Sequence, residues 1–234
     1  MGIGRATAWS AARSLVPIGA RLAPQLSHGF VREMLERAIN GGGPFLGAAA
    51  QADLRSTEAA GDEAAAISAL VEGHVRVAGA QGFLTNLGGL LTATIAIPAN
   101  ISGLALLQCH LVAGIAHLRG YDLADGRVRN AVLACLLGED TVGDLVRSGS
   151  LPATPMGMAT SPVHDPGLDQ RIAREVMTEL FGRVGGRRMA TSVARRVPLL
   201  GGGIGAVSDG WSTYRVGRYA ERELRPRGQS GARP

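Results

Sequence analysis

The chain has no lysine: its 24 basic residues are all arginine, in a sequence rich in alanine and glycine. That pattern matches a GC-rich coding bias, so an arginine has no special role by default. Cysteine is almost absent. Cys109 and Cys135 are the only two in 234 residues, both in apolar stretches, which excludes a disulfide scaffold and fits reduced, buried thiols in a cytoplasmic protein. Aromatics make up 4% of residues, too few to interleave a basic surface with stacking platforms, and no nucleic-acid-reading motif is present. Nucleic acid is therefore not an expected partner. No phosphate loop, zinc-binding helix, nucleophile elbow or Cys-x-x-Cys pair occurs, so the sequence names no catalytic residue, no metal and no cofactor.

The most informative absence is of charge. Residues 77–118, between Arg76 and Arg119, hold no Asp, Glu, Lys or Arg. A soluble helix ordinarily wears charge on its wet side. Pro98 divides the stretch into Gly82–Ile97 and Ala99–Leu118, which predicts two apolar helices joined near Pro98 as a hairpin or a kinked rod. The second arm, at about 30 Å, just reaches across a bilayer; the first, at about 24 Å, does not. Asn86, Asn100, Gln108, His110 and His117 would all need partners in lipid. A buried core hairpin and a membrane-entering one both remain open. Gln108, His110 and His117 form a candidate polar cluster within it. His110 and His117, two turns apart, are about 10 Å apart along the axis, too far to share one ion without help. His74, on the apolar side of an earlier helix, reads as a hydrogen-bonded core histidine.

Around this stretch the pattern is helical throughout. Residues 26–40 place Phe30, Met34, Leu35 and Ile39 on one face and stop at Gly41. Residues 62–78, 169–184 and 186–197 are further helices, and a last one follows Pro198, with Gly201–Gly205 read as a tight turn between helices. No period-2 pattern competes. The expected fold is all-α, a multi-helix bundle around a central apolar hairpin. Residues 1–24 are expected as a partly flexible segment, 25–222 as one helical domain with a Pro-rich loop at 148–169, and 223–234 as a disordered basic tail.

Basic charge is concentrated late. Residues 1–170 carry 11 arginines against 14 acids, and residues 171–234 carry 13 against 5. Such asymmetry points to an anionic partner. Arg187, Arg188, Arg195, Arg196, Arg218 and Arg222 are the candidate contacts to a membrane surface. Arg76 before the apolar stretch and Arg119, Arg127 and Arg129 after it keep both ends cytoplasmic under the positive-inside tendency.

The segments GFLTNLGG, IPANISGLALLQCHLVAGIAHLRGYD and RVRNAVLACLLGED within 82–140, with RRVPLLGGGIGAVSDGWSTYRVGRYA at 195–220, resemble the EcsC family of bacterial proteins. Pro98, Gln108, the Gly120-Tyr121-Asp122 turn, and Pro198 with Gly201–Gly205 carry most of the likeness. The resemblance implies a helical, mostly prokaryotic domain whose founding member is encoded beside an ABC transporter and whose molecular activity is not established. It brings no catalytic residues. Many relatives have an acid just before the proline, where this chain has Ala96-Ile97. The expected role is a membrane-associated helical protein on the cytoplasmic face. The alternatives are a soluble interaction or accessory module, for example to a transporter or by self-association, and a hydrophobic-ligand binder.

Overall fold

A computed structural model describes residues 28–42, 45–87, 93–194 and 198–227, with side chains for all of these except 28, 85–87, 93–100, 181, 183–194 and 198–205. Segment 1–24 and tail residues 228–234 lie outside the described residues. The chain is all-α. Among the described residues the helices are α1 (His28–Asn40), α2 (Ala48–Glu58), α3 (Glu63–Leu87), α4 (Ala93–Leu118), α5 (Gly126–Leu137), α6 (Glu139–Arg147), α7 (Pro155–Ala159), α8 (Pro166–Ala194) and α9 (Pro198–Glu223).

Helix α4 is the axis of the bundle, packed against α1, α2, α3, α5, α8 and α9. Its uncharged sequence explains why. Leu111, Val112, Ala113, Ile115 and Ala116 are consecutive or nearly so and all fully buried; a helix apolar on every side can only be surrounded. Residues Ile101–Leu118 are the one described stretch long and apolar enough to cross a membrane, and 61% of that window is buried inside the protein. This half of the apolar stretch is core.

Helix α4 ends as its sequence dictates. Gly120 takes φ 79°, Gly120 N–H donates to His117 O and Tyr121 N–H to Ala116 O, a Schellman closure that a β-carbon would strain. Asp122 then accepts from Ala124 N–H at 2.8 Å, and Asp125 caps α5 through Arg127 N–H at 2.8 Å. Tyr121 donates its hydroxyl to Arg225 O at 2.9 Å.

Helices α3 and α9 form the broadest pairing. They run antiparallel: a β-carbon on Gly217 would lie 3.0 Å from Val71 Cγ2, one on Gly210 3.5 Å from Val75 O, and one on Gly79 3.5 Å from Ala206 O. As numbering rises along α3 it falls along α9. The C-terminal end of α3, the start of α4, the end of α8 and the start of α9 therefore meet at one end of the bundle.

Four expectations are corrected. Pro98 is not the hairpin corner: α3 runs to Leu87, α4 begins at Ala93, and Pro98 sits inside the second turn of α4, where it forgoes the N–H bond to the carbonyl four residues back without ending the helix. The pair 169–184 and 186–197 is a single helix, α8, through Ala194. Gly201–Gly205 lie within α9, not at a turn. The Pro-rich loop 148–169 is tied to the bundle in places: Leu151, Met158 and Ala159 are buried, and the short α7 within it packs on α5. Likewise residues 223–227 are tied down, with Leu224 buried, Arg227 N–H donating to Arg119 O at 3.0 Å and the Arg227 guanidinium over the Tyr121 ring at 5.5 Å.

Candidate functional site

The three polar residues of the apolar helix do not form one cluster. Gln108 is fully buried and turns toward α9, its amide donating to Ser212 Oγ at 3.2 Å and Thr213 Oγ1 at 3.4 Å. His110 and His117 leave α4 on another side, toward the segment 46–53. His117 Nε2 meets Asp53 Oδ1 at 2.8 Å at the surface. His110 joins a chain of contacts. His74 Nδ1 lies 2.7 Å from Leu70 O, His74 Nε2 lies 2.9 Å from His110 Nδ1, and His110 Nε2 lies 3.0 Å from Leu46 O. The two rings are inclined by 28° with centroids 5.1 Å apart, so with that short N···N contact they meet edge to edge rather than face to face.

Burial governs the chemistry here. It pulls the His74 imidazole down to about 4, with the His110 and Arg55 charges adding to the effect and the Leu70 carbonyl working against it. Burial also lowers His110, opposed by Leu46 O. It pushes the Cys109 thiol up to about 12, and raises Cys135 as well. Both thiols are therefore protonated and closed to solvent, unsuited to act as nucleophiles or ligands. Among the described residues, no three His, Cys, Asp or Glu side chains come together at a spacing that could hold a metal.

The candidate arginines are likewise divided. Arg195 and Arg196 lie outside the described residues; Arg187 and Arg188 belong to the last turns of α8, and their side chains lie outside the description. Arg218 and Arg222 are at the other end of the molecule: Arg222 is about 36 Å along α9 from Pro198. Both are ion-paired, Arg218 with Glu221 at 2.6 Å and Arg222 with Glu139 at 2.5 Å. Arg218 and Arg222 are thus separated from the start of α9 by most of its length, and each already has an acidic partner.

Sequence reading missed two features. One is α2, whose backbone neighbour Leu46 and side chain Asp53 partner the two histidines of α4; the i, i+7 spacing of His110 and His117 was the signal that a polar strip had to face them. The other is a cleft of about 560 Å³ between α9 and the start of α6, floored by Trp211 stacked on Tyr214 at 5.6 Å between centroids. Arg215–Asp140 at 3.1 Å and Arg222–Glu139 bridge it. Its three arginines, 215, 218 and 222, face Glu139, Asp140 and Glu179, so the cleft selects neither sign of charge.

No family model matches the chain, and neither the curated proteins nor the solved structures contain a match to it.

Proposed function

We propose that this is a membrane-associated helical protein of the EcsC type that touches the cytoplasmic face of the cell membrane with one end of its bundle. The observation that carries the reading is what meets at that end. Leu84 of α3 is 67% exposed close to that end, and Val77 and Val207, about 15 Å from it along α3 and α9, are 55% and 72% exposed, large apolar side chains on the two helices that lead to where the uncharged stretch passes from α3 to α4. Phe83 is also exposed there. The Arg-rich end of α8 arrives at the same end, and Arg195 and Arg196 follow it in the sequence. Apolar residues beside a run of arginines suit an interface whose headgroups are anionic and whose interior is hydrocarbon. The reading differs from full insertion of the hairpin, because Ile101–Leu118 is occupied by protein contacts; only the outer part is offered to lipid.

Vesicle flotation tests it. The protein should float with vesicles containing phosphatidylglycerol, and less with phosphatidylcholine alone or in high salt. Recovery entirely in the soluble fraction with both would overturn it.

A second reading, a soluble helical accessory module that binds another protein or itself, is favoured by the burial of the most apolar helix within the bundle. A hydrophobic-ligand binder has less support, since the described cleft mixes apolar side chains such as Trp211 and Val216 with paired charges. A membrane-free, monodisperse protein that captures no vesicle would favour the accessory module.

A further inference from the structure

The chain Leu70 O, His74, His110, Leu46 O has acceptors at both ends, because a carbonyl can only receive a hydrogen bond. Its three contacts need three N–H protons. Two neutral imidazoles supply two, so one contact sets lone pair against lone pair whichever tautomers are chosen. One added proton completes all three bonds. A second added proton makes both rings imidazolium: N–H then faces N–H across 2.9 Å, with two like charges and no acceptor between them. That contact cannot survive.

What the contact holds is the connection between α1 and α2. Gly41, at φ 74°, turns the chain out of α1, and Gly42 and Phe45 exchange backbone hydrogen bonds of 3.0 and 3.1 Å. Phe45 and Leu46 are exposed, 75% and 50%. Among the described side chains, Leu46 O accepts from His110 alone. We propose that the His74–His110 pair is an acid-released latch: it holds the α1–α2 connection to α4 through Leu46 while it carries at most one extra proton, and lets go when the second enters.

The surrounding charges agree in direction. Arg55 of α2 works against protonating His74. Acids of the helices packed around the pair have partners of their own: Asp53 and Glu58 of α2 with His117 and Arg55, Glu72 of α3 with Arg76, and Glu33 and Glu36 of α1 with Arg37 and Arg129. Asp209 of α9 is buried one residue from Gly210, which packs on Val75. Both imidazoles are held below the ordinary value of 6.5 in the folded protein. The latch is therefore intact above that value, and its stability is lost as pH falls toward about 4.

Residue-resolved hydrogen exchange of the full chain between pH 7 and pH 4 tests this, with rates converted to protection factors. Protection of the amides at 46–48 should be constant above the ordinary imidazole value, fall by up to about tenfold per pH unit as pH drops below it, as uptake of one proton on opening requires, and level off near the folded His74 value of about 4. Amides of α4 and α5 should stay protected. In His110→Gln no second imidazolium can form, and the side-chain amide can donate to Leu46 O while it donates to neutral His74 Nε2 or accepts from the charged ring, so protection at 46–48 should become much less dependent on pH. Loss that is already complete close to the ordinary imidazole value, no loss at all, loss shared by α4 and α5, or an unchanged pH response in His110→Gln would each overturn the latch. The wild-type profile decides the matter even if the variant does not fold.

Discussion

Asp169 shows how much of the bundle can rest on one side chain. It sits in the first turn of α8, where a carboxylate suits the helix dipole. There it receives Arg32 Nη1 of α1 at 2.8 Å and the buried Asn130 amide of α5 at 2.7 Å, with His164 Nε2 at 3.6 Å. Three separate segments are thus joined to α8. Asp169→Ala strips the acceptor from Asn130, which is 4% exposed, and leaves a buried donor unmade. The expected loss is about 2–3 kcal/mol, read as a lower urea midpoint with unchanged slope. Asp169→Asn, which can still accept one of the two bonds, should lose less. An Ala variant as stable as the parent would mean that the segments are held by apolar packing alone.

At the scale of elements, the α3–α9 pairing depends on glycines with different amounts of room. A β-carbon on Gly210 would make ordinary contacts at 3.5 Å or more with Val75, whereas one on Gly217 is already 3.0 Å from both Leu111 Cδ2 and Val71 Cγ2. Gly210→Ala should then stabilise by up to about 1 kcal/mol through helix propensity. Gly217→Val should cost about 1–3 kcal/mol by overpacking. Thermal unfolding of the two variants should move the midpoint in opposite directions; shifts of the same sign would show that the close approach of the helices is not what the glycines provide. The same contacts explain which elements could be read from the sequence. Helix α1 was legible because Phe30, Met34, Leu35 and Ile39 recur at helical spacing and Gly41 stops it. The run from Gly182 to Gly186, Gly201–Gly205 and Pro98 were misread as breaks, since local cost suggests a break and only long-range packing overrides it. Helix α2 was invisible because its buried positions, Ala48 and Ala52, are too small to make a stripe; they fit because Gly114 of α4 lies against Ala48 O. Of the site, the sequence placed His110 and His117 on one face. The partner of His110 is a backbone carbonyl, which no letter of the sequence marks.

For the whole molecule, the antiparallel α3–α9 pairing sorts the arginines into two groups that composition merges. Arg187 and Arg188 travel with α8 to the end where α3 gives way to α4. Arg218 and Arg222 lie toward the opposite end, already paired with Glu221 and Glu139. If that first end meets the membrane, the two groups must behave differently. Each arginine close to an anionic surface contributes about 1 kcal/mol, about fivefold in partitioning. Arg187→Gln with Arg188→Gln should therefore weaken binding to phosphatidylglycerol vesicles by about twenty-five-fold, with the salt dependence reduced. Arg218→Gln with Arg222→Gln should leave it near the parent value, although exposed ion pairs are lost. Phe83→Asp with Leu84→Asp removes apolar contact at the same end without opening the core, since both side chains are exposed; it should weaken binding to neutral and anionic vesicles alike. Equal losses from the two arginine pairs would indicate diffuse electrostatic attraction without a defined end. Indifference to Phe83→Asp and Leu84→Asp would mean that contact is made through headgroups only, and that the uncharged stretch serves the interior of the bundle along its whole length.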